Sequence, residues 1–418
     1  MDYQSPRGTQ DILPEEQPYW RYVQEKAAAV AERYGYARID TPTFEDSHLF
    51  IRTVGEETDI VSKEMYTFAD RGGSDLTLRP EGTAPVCRAY LEHGMGSRPK
   101  PVKLYYLANI FRYDRPQAGR YREHHQFGFE LIGEADAGAD AEVIDMAWRF
   151  YSELGLTTLP VQLNSIGCPE CRAEYVAALK AYYESCIDTQ CQDCRVRYHK
   201  NPLRLLDCKK PDCRAAAAKA PRSTDYLCPD CKAHFEKLIA MLGAVGIPFE
   251  INNCLVRGLD YYRRTVFEIQ PQEEGAQSTI GGGGRYDGLL EQLGGDSTPA
   301  TGFATGIERI ILNLKRQNVA VPPLPAPRFY LAWLGDSAAL VAFTLAADLR
   351  REGIGLVQSL GGRSLKAQLR GASAVGAKYA LILGESELET RTVILRDMSN
   401  SEQSSLPLDG LASALKNL

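Results

Sequence analysis

The run Val321-Pro322-Pro323-Leu324-Pro325-Ala326-Pro327 constrains this 418-residue chain more than any other stretch. Proline has no backbone N–H and fixes φ near −65°, so neither a helix nor a central strand passes through such a run. It reads as a stiff linker, and the two sides must fold separately. After it, Phe329–Leu334, Ile354–Leu360, Tyr379–Leu383 and Thr392–Leu395 read as strands. Ala338–Arg351, Ser364–Val375 and Leu408–Leu418 read as helices. The alternation predicts a small α/β domain with a mixed sheet over 328–418.

Before the linker the pattern is α+β. Tyr19–Arg33 reads as a helix, with strands at Met65–Phe68, Asp75–Leu78, Lys103–Tyr113 and His125–Ile132, and further strands at Ile251–Val256 and Thr265–Ile269. A cysteine-rich segment, about 168–245, interrupts the strands as an insertion. Its core, 195–232, holds ten Lys or Arg against four Asp, a basic patch in a chain whose net charge is −6. Local patches, not net charge, decide nucleic-acid binding. The start of the chain lacks the basic-then-apolar layout of a secretory signal. No apolar run nears the ~20 residues that span a bilayer, so the cytoplasm is the expected compartment.

Segments 103–113 and 125–132 read as an antiparallel hairpin with a long loop. Strand side chains alternate faces. Phe127, Phe129 and Leu131 therefore share an apolar face, and Gln126, Gly128 and Glu130 share the other. The glycine between two polar groups suggests close approach to the sheet there. Arg112, Arg115, Arg120 and Arg122 crowd the loop, a natural place for phosphates. In Arg79-Pro80-Glu81-Gly82-Thr83, the carboxylate and hydroxyl suit an ammonium group, or cap the helix that follows. Leu255–Tyr262 packs an arginine, an acid and two tyrosines into eight residues. Gly281-Gly282-Gly283-Gly284 fits neither a dinucleotide fingerprint nor a P-loop. If the chain uses ATP, arginines and backbone must hold the phosphates. Gly302–Ile310 reads as a glycine-rich strand entering a helix that carries Arg309.

Together these segments resemble the class II aminoacyl-tRNA synthetases, and among them the histidyl-tRNA synthetases. Pro6–Pro14 is similar to the family's opening, Phe111–Glu130 to the second class II motif, and Gly302–Arg309 to the third. The first, dimer-forming motif falls at about 20–45. Leu255–Tyr262 and Gly283–Gly288 are similar to two segments peculiar to the histidine enzymes. The resemblance implies a catalytic domain over 1–320, built on a six-stranded antiparallel sheet with flanking helices, and an α/β anticodon-binding domain over 328–418. It implies a homodimer acting on L-histidine, ATP with Mg²⁺ and tRNA(His). Glu81, Gly82, Thr83 and Gln126 are then expected at the α-amino group of histidine. Glu130, Tyr261, Tyr262 and Tyr286 are expected around its imidazole. Arg112 is expected at the α-phosphate, Arg257 at the charge growing there and among the histidine-binding residues, Arg120 near the outer phosphates, and His124 and Arg309 against adenine. Arg115 and Gln117 are candidates for the acceptor end of the tRNA. Two positions depart from the pattern: Asp114 stands where the class has Glu, and His124 where the family has Phe. A non-catalytic relative, the histidine-sensing regulatory subunit of ATP phosphoribosyltransferase, is the alternative, but such relatives usually lack the C-terminal domain and erode the signature residues, whereas Arg112, Arg257 and Arg309 are all present here.

Three Cys-x-x-Cys pairs, Cys168/Cys171, Cys191/Cys194 and Cys228/Cys231, and a looser pair, Cys208/Cys213, lie in the insertion. Pairs at this spacing suit a structural zinc site, and eight thiols make one site or two. The sequence leaves the pairing open.

Overall fold

The computed structural model describes residues 3–418, apart from 56, 57, 59, 159 and 272–278. The chain divides into two compact units between Pro322 and Pro323, inside the proline run.

The larger unit is organised by one sheet of eight strands. Six central strands, Val102–Phe111, Glu123–Ile132, Ala300–Gly306, Gly281–Arg285, Arg263–Ile269 and Val161–Ser165, are consecutively antiparallel. Two short strands, Ala37–Arg38 and Phe249–Ile251, extend the edges in parallel pairing. The expected six-stranded antiparallel sheet is thus present, with a two- or three-residue strand at each margin. Ile251–Val256 was expected as a strand, but only Ile251 belongs to one; Asn252–Val256 leaves the sheet as turn and loop. Parallel neighbours need a crossover, and the cysteine-rich insertion is the crossover between Val161–Ser165 and Phe249–Ile251.

The two faces of this sheet differ in chemistry because of their side-chain rows. On one face Phe127, Phe129, Phe303 and Phe267 form an aromatic row, with Phe129–Phe303 at 5.2 Å and Phe303–Phe267 stacked at 5.9 Å. Helices Gln17–Arg33, Ala137–Glu153 and Ile307–Arg316 cover it, and residues such as Val23, Phe150 and Ile310 are fully buried there. Each such side chain contributes about 1.5–3 kcal/mol through burial. Gly283 passes between aromatic neighbours so closely that a Cβ would lie 2.0 Å from the Gly302 carbonyl. The glycine run is therefore a central strand that admits no side chain.

On the other face the register places Gly282 beside Ala304 and Gly128, and Gly284 beside Gly302 and Glu130. This floor is nearly without side chains, so a ligand can lie on the backbone. The close approach expected at Gly128 is made by the chain itself. Tyr106 lies opposite Gly128 in the hairpin, and a Cβ on Gly128 or Gly82 would come within 2.4 Å of its ring.

The smaller unit has a five-stranded sheet in the order Leu356–Gln358, Phe329–Trp333, Tyr379–Leu383, Thr392–Asp397, Gln403–Pro407. The first three strands are parallel and the last two antiparallel, a mixed sheet. Helix Asp336–Arg351 buries Ala338, Ala342, Ala346 and Leu349, an inward stripe at helical spacing. Helix Leu365–Ala374 begins at Ser364, whose hydroxyl accepts from the Ala367 amide. Arg363, Lys366, Arg370 and Lys378 are all exposed. Among the described residues no helix is long and apolar enough to cross a membrane.

Candidate active site

A cleft of about 310 Å³ lies over the glycine floor. Its closed end is built around Glu130, which is 1% exposed. Thr83 Oγ1 donates to one Glu130 oxygen at 2.8 Å and the Tyr286 hydroxyl to the other at 2.5 Å. No cation is paired with it among the described residues. Burial pushes its carboxyl up to about 8, against the pull of those two hydroxyls, and Glu81 nearby adds to the rise. Tyr261 packs on Tyr262 at 4.7 Å and on Tyr286 at 5.7 Å, forming an aromatic wall beside the carboxylate.

Glu81 does two things at once. Its oxygens accept from the Thr83 and Ala84 amides at 2.8 and 2.7 Å, satisfying the first turn of helix Thr83–Glu92. The same carboxylate lines the cleft, and burial raises its pKa. Gln126 also lines the cleft, with its buried amide oxygen lacking any hydrogen-bond partner. Buried acceptors of this kind are ordinarily satisfied, so this one suits a ligand ammonium group. Gly82 is not among the lining residues; its place is against the Tyr106 ring.

Toward its mouth the cleft becomes cationic. Arg112 donates from Nε to the Pro80 carbonyl at 2.7 Å, which aims the rest of its guanidinium inward. Arg257 Nη1 bonds Glu268 Oε1 at 2.5 Å, while its Nε is buried with no hydrogen-bond partner among the described residues. Burial works against its charge, but Glu268 holds the pKa above the ordinary value. Arg309 is fixed by the carbonyls of Gly119 and Thr279 at 3.0 and 2.7 Å. Burial, then the charges of Arg120 and Arg112, lower its pKa, so the mouth favours an anion.

His124 lines the same end. Burial, then Arg112 and Arg309, push its imidazole down to about 3, so it is a neutral ring at pH 7. The next residue fixes it: the His125 amide and Nδ1 both contact Glu308, at 2.8 and 2.9 Å. Asp114 forms an ion pair with Arg120. Asp114 thus lies against the arginine expected at the outer phosphates. Arg115 and Gln117 are exposed on the hairpin loop, outside the cleft. The reading of the sequence missed Tyr106, Tyr121 and Glu268, all of which line it. Pairing 103–113 against 125–132 would have put Tyr106 opposite Gly128.

Eight of the nine cysteines in the insertion form two groups, Cys168, Cys171, Cys228, Cys231 and Cys191, Cys194, Cys208, Cys213, each with its sulfurs within 4.8 Å of one another. Either group could hold a metal ion.

Comparison with known families gives the same picture along the whole chain. Residues 8–310 match the family model described as histidyl-tRNA synthetase, and 328–418 match the anticodon binding domain. The chain belongs to the histidyl-tRNA synthetase family. A relative named histidine–tRNA ligase from Dehalococcoides mccartyi is 65% identical over 414 residues, covering 99% of each chain. One of the same name from Caldanaerobacter subterraneus is 48% identical over 413 residues, again covering 99% of each. The crystal structure of apo histidyl-tRNA synthetase from S. aureus superposes with a TM-score of 0.83 at 39% identity, covering 99% of this chain and 100% of that one. The family's separate C-terminal domain is present here, which separates this chain from the regulatory-subunit alternative.

Proposed function

We infer that this chain is a histidine–tRNA ligase that activates L-histidine with ATP and transfers the histidyl group to tRNA(His). The observation that carries the reading is the pairing of a closed, phenol-lined Glu130 pocket with an arginine-lined mouth in one cleft. Histidine sits with its ring toward Glu130, Tyr262 and Tyr286. Glu130, held by two hydroxyls, has acceptor capacity left for a ring N–H, and an apolar analogue would leave that capacity unmet. The α-ammonium group lies at Glu81, Thr83 and Gln126. ATP, brought in as its Mg²⁺ complex, places adenine against His124 and Arg309 and its phosphates toward Arg112 and Arg120.

The carboxylate oxygen of histidine then attacks the α-phosphorus, forming a P–O bond as the bond to pyrophosphate breaks. Arg112 and Arg257 stand where negative charge grows, preorganised donors that need no reorganisation during the step. The partnerless Nε of Arg257 is one such donor. In the second step the terminal ribose hydroxyl of the tRNA attacks the histidyl carbonyl and AMP leaves. Arg115 and Gln117 on the hairpin loop, the basic insertion, and Arg363, Lys366, Arg370 and Lys378 are the groups offered to tRNA. The catalytic unit (1–320) and the anticodon-binding unit (328–418), a homodimer and residence in the cytoplasm belong to this reading through the family resemblance, and structural zinc through the cysteine spacing alone.

Histidine-dependent exchange of labelled pyrophosphate into ATP tests it. Wild-type protein is expected to exchange, and Arg257→Ala to lose about 10²–10³-fold. Histidine binding without exchange would favour a histidine sensor instead.

A further inference from the structure

The insertion contains helices that have little reason to stay folded. Helix Gln192–Lys200 buries one residue, Cys194, and helix Pro211–Ala217 buries only Cys213 and Ala217. Neither has the apolar stripe that normally fastens a helix to its neighbours. Cysteine is what each turns inward.

Those cysteines are arranged as ligands. The Cys168–Cys171 sulfurs are 3.5 Å apart and the Cys191–Cys208 sulfurs 3.9 Å apart. Sulfurs bound tetrahedrally at about 2.3 Å from zinc lie about 3.8 Å from each other, whereas a disulfide needs about 2.05 Å. Cys168, Cys191 and Cys228 each occupy the N-cap of a helix, where the helix dipole favours a thiolate. Backbone amides cross between the pairs: the Cys228 amide donates to Cys171 Sγ at 3.0 Å, and the Cys191 amide to Cys213 Sγ at 3.5 Å. The pairing is nested, the outer two Cys-x-x-Cys pairs together and the inner pair with Cys208 and Cys213.

Both groups border the segment Arg257–Tyr262. On the outer group's side, Arg172, next to Cys171, donates to the Tyr262 carbonyl at 3.4 Å. The Arg264 amide donates to the Gly167 carbonyl, adjacent to Cys168, at 2.8 Å. On the inner group's side, Asn201 donates to Asp260 at 2.9 Å. Arg204 packs so closely on Gly258 that a Cβ there would meet its guanidinium at 2.9 Å. Asn201 and Arg204 lie in the span between Cys194 and Cys208.

We propose that the insertion carries two separate tetrathiolate zinc ions, and that together they clamp Arg257–Tyr262 from both sides as positioning elements for the histidine pocket. This goes beyond the ligase reading, and the metal count does not depend on activity.

The full-length protein, purified without chelator, is expected to hold about two zinc ions per chain. Its cobalt-substituted form should show the intense bands of tetrahedral thiolate coordination. Cys168→Ser with Cys171→Ser, and separately Cys191→Ser with Cys194→Ser, should each lose one ion and keep the other. Cys186→Ser, outside both groups, should keep both. Cys213→His, which retains a ligand, should also hold both ions. In pyrophosphate exchange, loss of either ion should raise KM for histidine about tenfold, with a smaller change in KM for ATP. One ion or fewer in the wild type, loss of both ions from a single double variant, or thiols found as disulfides would overturn the two-site assignment. The wild-type count and cobalt spectrum decide even where a variant does not fold. An unchanged KM for histidine after loss of an ion would overturn the clamp.

Discussion

Glu130 and Asp140 are both buried carboxylates of the larger unit, 1% and 0% exposed, but their surroundings are opposite. Asp140 is saturated. The Arg285 guanidinium lies 3.0 Å away, His234 Nε2 contacts it at 2.7 Å, and Thr265 Oγ1 donates at 2.7 Å. Burial alone would raise the Asp140 carboxyl, but Arg285 and then His234 hold it below the usual carboxylate range. Glu130 has two hydroxyls and, among the described residues, no cation, and burial pushes it up to about 8. A saturated charge joins parts of the fold: Arg285 ties the glycine strand to helix Ala137–Glu153, and His234 adds the insertion's last long helix. An unsaturated one stores unfavourable energy that a ligand can relieve, which marks a binding site.

The largest effect should come from breaking the saturated centre. Arg285→Met leaves Asp140 without its main counter-charge, and removing one partner of a buried pair costs about 3–5 kcal/mol. Denaturant titration that follows the larger unit should show this loss. Asp140→Leu combined with Arg285→Met should recover part of it, since an apolar replacement of both partners leaves no stranded charge. A single variant as stable as wild type would mean that the network does not hold the unit together.

Glu130→Gln should do the reverse. It keeps the shape but removes the carboxyl that can ionise when a ring N–H reaches it, so folding should be unharmed while recognition fails. Loss of a hydrogen bond to a charged group is worth about 1.5–3 kcal/mol, which predicts a fall of roughly 10–150-fold in kcat/KM for histidine. Exchange kinetics at varied histidine would measure this, and the circular-dichroism melt should be unchanged or raised. A variant that unfolds at lower temperature would place Glu130 with Asp140 as a structural acid.

The contrast was only half legible in the sequence. Strand alternation put Gln126 and Glu130 on the face opposite Phe127 and Phe129, because a period of two needs only local chain geometry. The proline run marked the division of the chain for the same local reason. Asp140 and Arg285 are 145 positions apart, and nothing local announces that they meet. Gln403–Pro407 escaped notice because its residues are mostly exposed and carry no apolar alternation, so an edge strand looked like a loop. The segment Asn252–Val256 misled in the opposite sense. Its apolar residues are buried in a loop packed under the insertion, where burial comes from tertiary contact rather than strand pairing. The cysteine spacing displayed the clustered thiols, but their nested grouping required the fold.

Taken per pH unit, the smallest effect is the most specific to the comparison, since it concerns protons alone. In the unfolded chain Glu130 titrates near 4.5, and in the free folded protein near 8. Below about pH 4.5 it is protonated in both states and contributes no pH dependence. Between about 4.5 and 8 the folded state holds a proton that the unfolded state has released, so stability falls as pH rises, by at most about 1.4 kcal/mol per unit. Above about 8 the proton is lost from both and the slope ends. Asp140 has the opposite sign and another window: its lowered value stabilises the fold above the ordinary 3.8, and that stability is lost as pH falls through the depressed pKa. The two acids therefore separate on a pH axis. Denaturation midpoints of wild type and Glu130→Gln, taken from about pH 5 to 8, should diverge steadily in favour of the variant, because glutamine has no proton to release. Curves that run parallel across that window would show that Glu130 is ionised in the free protein, with its charge compensated as fully as that of Asp140.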